Sequence, residues 1–142
     1  MSGQPEGEFD VTELIAVEPG DPAAEQGNII DTAEPFQLRA TFDGTGTDWG
    51  NMEGGGWAYS AWFYAHGLGP GMPTLFFGPA VIGNLGAGGP YTAVQLVPGG
   101  TLPAGTYKCT VVVGFRNPAT GTPWLGWLGY NECVIMMFPW EE

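Results

Sequence analysis

Side chains able to do chemistry are scarce in this sequence. It has one histidine (His66), two serines (Ser2 and Ser60) and two cysteines (Cys109 and Cys133). On one continuous strand Ser60 and His66 would stand about 20 Å apart, beyond hydrogen-bonding reach. Cys109 follows the inward parity of its strand, and burial raises a thiol's pKa, so a Cys109–His66 nucleophile is not expected. One histidine and two cysteines do not make a four-ligand zinc site. The stretch "DGTGTDWGNME" places Asp43, Asp48, Asn51 and Glu53 in one glycine-rich segment. Calcium takes about six to eight oxygens from such segments, but the spacing departs from the EF-hand pattern. The stretch reads first as a solvated turn and second as a calcium candidate. No phosphate-binding loop or dinucleotide fingerprint is present. The expectation is a chain that is not an enzyme and needs no cofactor.

The elements that would position these residues are strands. The chain has 142 residues, of which 44% are hydrophobic, with 25 glycines and 13 prolines. That length suits one domain, and turn-forming residues without a repeat period suit an all-β fold. "PFQLRATF" alternates, with Phe36, Leu38, Ala40 and Phe42 on one face. "GTYKCTVVVGF" puts Tyr107, Cys109, Val111, Val113 and Phe115 on one side. "WAYSAWFYA" and "YNECVIMMF" are apolar almost throughout and read as strands covered on both faces. "FDVTELIAV", "TLFFG" and "YTAVQLV" complete a set of seven, and no segment shows a helical period. The prediction is an antiparallel β-sandwich of about seven strands spanning residues 1–142, with an acidic N-terminal segment over about 1–34. Its core is expected to hold Leu38, Phe42, Val94, Leu96, Tyr107, Val111 and Val113. If the last two strands form a hairpin centred near Gly121, Cys109 falls directly opposite Cys133. At that position the pair reads as two buried reduced thiols, with a disulfide as the alternative.

"LPAGTYKCTVVV" is similar to the sixth strand of immunoglobulin-like domains. In those domains a tyrosine two residues before a cysteine makes a corner with the preceding turn. Tyr107-Lys108-Cys109 has that spacing, and Trp62 stands where the family has its third-strand tryptophan. The resemblance implies a partner cysteine on the second strand. "PFQLRATF" has none.

Charge sets the function classes. The formal net charge is −12, from 15 acids against only Arg39, Lys108 and Arg116. No basic cluster exists to neutralise phosphates, so nucleic acid is not an expected partner, and neither is an anionic membrane. The first ten residues lack a basic n-region and an apolar h-region, so a cytoplasmic location is expected. Nine of the 15 acids lie in residues 1–34, and none lies in residues 54–131. That charge-poor span is rich in aromatics, the composition of interface cores. The interface candidates are Trp57, Trp62, Met72, Phe76, Phe77, Trp124 and Trp127. The expected function is structural or protein-interacting: self-association, or packing in a larger assembly. Two alternatives are a carbohydrate-binding module using exposed tryptophans such as Trp49, Trp124 or Trp127, and a membrane-inserting protein using the loop at 68–85.

Overall fold

The computed structural model describes residues 7–17, 29–86 and 88–139, with backbone alone for Pro79 and residues 124–127. Alternation builds the first sheet. In β3 (Phe36–Thr45), Phe36, Leu38, Ala40 and Phe42 are buried while the residues between them face outward. β1 (Glu8–Val17) pairs antiparallel with one edge of β3 and β6 (Tyr91–Val97) with the other. The second sheet has the order β2-β8-β7-β4-β5. Its members are β2 (Ile29–Asp31), β4 (Ala58–Gly67), β5 (Thr74–Asn84), β7 (Gly105–Arg116) and β8 (Pro123–Phe138). The inner faces meet in one core, where Leu38, Phe42, Phe63, Tyr107, Val111 and Val113 are fully buried. The fold is an all-β sandwich of two sheets.

Four features differ from the sequence expectation. The described residues form eight strands, and β2 runs parallel to the end of β8. Three residues are too few to show alternation. A helix, α1 (Thr47–Gly54), occupies the segment read as a turn. Its only buried residues are Trp49 and Met52, one turn apart, so no repeating period marks it. Val94 and Leu96 are not core residues: they are 37% and 49% exposed, while Ala93 and Val97 are buried. Both parities of β6 are apolar, so alternation cannot choose between them. Pairing decides, because Val94 and Leu96 sit opposite the outward Arg39 and Gln37. Finally, the outer face of β8 is bare, although the strand reads as doubly covered: Tyr130, Val134, Met136 and Phe138 are all exposed.

Aromatic rings close one end of the sandwich. Trp49 stacks on Phe9 at 5.7 Å and meets Phe115 edge-on at 5.6 Å, so α1 acts as a plug. Tyr91 Oη holds that plug by donating to Glu53 Oε2 at 2.6 Å. Elsewhere Tyr107 Oη donates to the Pro103 carbonyl at 2.9 Å, tying β7 to the turn before it. Asn131 Nδ2 donates to the Val11 carbonyl at 2.8 Å, which joins β8 of one sheet to β1 of the other. Two bulges bend the larger sheet. Trp62 of β4 faces residues 78–80 of β5, and Gly114 of β7 faces residues 125–128 of β8. No helix among the described residues is long and apolar enough to cross a membrane.

Candidate functional site

Register assembles the site on the outer face of the five-stranded sheet. In an antiparallel pair, directly opposed residues share a face. Trp62, Val112 and Tyr130 therefore form one outward row across β4, β7 and β8. The next row carries Phe76, Tyr64, Thr110 and Glu132. The rings of Tyr64 and Phe76 lie 5.1 Å apart. The row beyond holds Thr74, His66, Lys108 and Val134. Met136 follows, beside Ile29 of β2. Tyr130 is 65% exposed, Leu128 72% and Ile82 70%, so these side chains project from the sheet and are not half-covered by it.

Charge is sparse on this face and locally cancelled. Lys108 Nζ lies 3.6 Å from Glu132 Oε2, with both side chains nearly half exposed. Arg116 donates from a guanidinium nitrogen to the Gly121 carbonyl at 3.0 Å, which holds it against its own hairpin turn. His66 Nδ1 and Thr74 Oγ1 share a hydrogen bond of 2.6 Å.

A shallow groove of ≈ 150 Å³ opens where β7 and β8 bulge apart, lined by Ser60, Trp62, Gly114, Arg116, Pro123 and Leu128. Gly114 makes the notch. A Cβ there would meet Leu128 Cδ1 at 3.3 Å and the Trp62 ring at 3.4 Å. Ser60 lies in the groove and is 5% exposed, the one buried polar side chain among the described residues. Its hydroxyl has no hydrogen-bond partner among them, a deficit of about 1–3 kcal/mol if nothing else supplies one.

The other sequence-derived candidates spread through the molecule. Phe76 and Trp62 lie on the outer face described above. Phe77, one residue from Phe76, is buried in the core. Trp57 and Met72 are half-buried and pack against the core. Trp124 pairs with Phe115 on β8, and Trp127 lies in the β8 bulge; the side chains of both fall outside what is described. Trp49 is buried in the plug. Of the four calcium candidates, Asp48, Asn51 and Glu53 lie on α1 and Asp43 on β3: Asp43 accepts from the Gly44 amide at 2.8 Å, and Glu53 accepts from Tyr91. Among the described residues no three acidic, histidine or cysteine side chains gather as a metal group.

Cys109 and Cys133 are directly opposed on β7 and β8, and both are free thiols. A hydrogen bond between them, together with burial, pushes Cys109 well above the ordinary thiol range. The same hydrogen bond pulls Cys133 down against its own burial. Cys109 points into the core, whereas His66 points outward, so the sheet itself separates them.

Sequence reasoning missed Leu128, Tyr130, Val134 and Ile82. A signal for β8 was present in the cysteine register. If Cys133 opposes the inward Cys109, then Val134 and Tyr130 must face out.

No protein family matches the chain, and no curated protein matches it. Among solved structures it is similar to a β-glucosidase from Listeria innocua in complex with glucose, with 9% identity and a TM-score of 0.47. That match covers 94% of this chain and 16% of the β-glucosidase chain. It is also similar to the ASH / PapD-like domain of human CEP192 (PapD-like domain 7), with 10% identity and a TM-score of 0.37, covering 99% of this chain and 91% of that one. Neither similarity carries a functional argument, and the sandwich rests on its own two sheets.

Proposed function

We propose that the chain is a non-catalytic structural or protein-interaction β-sandwich that works by being packed into a protein assembly. Its docking surface is the outer face of the five-stranded sheet. The observation that carries this reading is the set of rows of exposed aromatic and aliphatic side chains there, from Ile82 and Phe76 to Tyr130 and Val134. A contiguous apolar patch on a folded domain marks an interface, and large aromatics are its usual hot spots. We assign the sandwich to the immunoglobulin-like kind; the Tyr107–Pro103 corner supports this. The same face offers a second reading. Trp62 and Tyr130 flank Val112 on one row, an arrangement on which a sugar ring could stack. Few polar side chains stand beside it, which is why protein docking is preferred.

The test compares Tyr130→Asp and Phe76→Asp with Val94→Asp, an exposed site on the other sheet. Circular dichroism checks folding. Sedimentation of the purified chain, and the size of the particle containing it in extracts of its own cells, check assembly. Assembly should weaken by more than about tenfold in the first two variants and persist in the third. Unchanged particle size in both preparations for Tyr130→Asp and Phe76→Asp would overturn the reading. Binding to immobilised polysaccharide that Tyr130→Asp abolishes, with particle size unchanged, would replace it with the glycan reading.

A further inference from the structure

We infer that the partner on this face is a second copy of the chain, related by a two-fold axis passing close to the Lys108–Glu132 pair. The inference rests on the interface reading above and gives it a geometry. A two-fold interface joins the same patch of both subunits, so the patch must be complementary to itself: where one residue meets a second, the second must meet the first. Lys108 and Glu132 satisfy that condition. They stand on adjacent strands, β7 and β8, 3.6 Å apart, and each side chain keeps more than two-fifths of its surface exposed. A half-turn about an axis between them sets each lysine over the other copy's glutamate. The two couples then close into a ring of alternating charge. The neighbours obey the same reciprocity: Tyr130 and Val134 flank Glu132 on its own face of β8, and whichever residue of the other copy each one meets, that residue's counterpart meets it in return.

Charge elsewhere favours the same arrangement. The face carries Lys108, Arg116 and Glu132, with Asp31 at its β2 edge beside Phe138, two bases and two acids; the rest of the chain carries one base and thirteen acids. The described acids other than Glu132 and Asp31 lie on β1, β3, α1 and the turn that follows β2. Two copies meeting through those regions would press like charges together, at a cost that rises as water is excluded. Face to face, the near-neutral patches meet and the acidic sheets point away from each other. Head-to-tail packing of this face on the acidic sheet of the next copy would also keep the two acidic sheets apart, but it would generate an open polymer and no closed dimer.

The experiment uses Lys108→Glu and Glu132→Lys, first separately and then mixed. Both positions are exposed, and circular dichroism verifies that each variant folds. The wild-type chain should sediment as a dimer. Each variant alone opposes four like charges at the axis, and its dissociation constant should rise by more than about tenfold. The mixture restores opposite charges at both contacts across the axis, while the like-charged pair inside each copy is the same in monomer and dimer, so a heterodimer should form with affinity near the wild type's. A wild-type chain that stays monomeric to millimolar concentration overturns the second copy. In that case a large particle in extract that still depends on Tyr130 preserves the interface reading. Open polymers, or a wild-type dimer that neither variant weakens, overturn the two-fold axis at this pair. A mixture no tighter than the separate variants does the same.

Discussion

The two outer faces of the sandwich are built by the same alternation, and they present unlike surfaces. On the three-stranded sheet Glu8, Asp10, Glu13, Arg39 and Asp43 point outward, with Val94 and Leu96 at the far end. On the five-stranded sheet the outward residues are mainly Ile82, Phe76, Tyr64, Trp62, Val112, Tyr130 and Val134. The inner faces of both sheets meet the ordinary demand for a dry core. Outward positions face no such demand, and charged residues there keep a sheet solvated and separate from its neighbours. The acidic face follows that rule, whereas the aromatic face breaks it. Folding does not require the breach; under the proposed function its cause is the partner that the face docks against.

The contrast depends first on the core that holds the two faces apart. Val111 is fully buried in the middle of β7. Val111→Asp places an unpaired carboxylate there, and the expected outcome is a chain with no cooperative thermal transition. Survival of a transition near the parent's would mean that the sheets do not enclose a dry interior at this position.

A smaller effect separates inner from outer by pH. Burial raises the Tyr107 phenol above its ordinary value of 10.0. It does the same for Tyr59, and for Tyr91 burial is joined by the hydrogen bond to Glu53. In each case the folded value lies above the unfolded one. The stabilisation is therefore complete below the unfolded value and is lost as pH climbs through the folded value. The thermal midpoint should stay level up to about pH 9 and fall progressively at higher pH. Tyr107→Phe should cost about 0.5–1.5 kcal/mol at neutral pH by removing its hydrogen bond to the carbonyl of the exposed Pro103, and it should soften the alkaline decline. A midpoint that falls equally steeply in that variant would remove Tyr107 from this account.

The smallest effect sharpens the outer face alone. Lys108→Met breaks the half-exposed pair with Glu132. It should change the stability of the single chain by no more than about 1 kcal/mol in a urea titration. A loss of several kcal/mol would make the pair part of the fold and not part of a contact surface.

Much of the architecture was legible because alternation speaks clearly where one face is polar. β3 shows this, with Gln37, Arg39 and Thr41 between its buried residues. It falls silent where both faces are apolar, so the orientation of β6 could be settled only by its pairing with β3. α1 was hidden because two buried residues on eight make no period. The site was half legible. A charge-poor aromatic span pointed to the sheet that carries the exposed aromatics but not to the side of it they occupy: Phe76 and Phe77 are chemically identical, and only parity sends one outward and the other into the core. On β8, one fixed point, Cys109 opposite Cys133, determines the side taken by every residue from 129 to 137.

The bulge in β5 limits how such a chain can multiply its contacts. β5 is the outermost strand of its sheet, and its free backbone groups could template a strand from another molecule. Residues 78–80 stand opposite the single Trp62, and Pro79 at their centre has no amide proton to offer. An incoming strand would find its ladder broken midway and its register lost. Sideways, fibril-like growth is thereby disfavoured along this edge, whereas the docking proposed above uses the broad side of the sheet and needs no ladder.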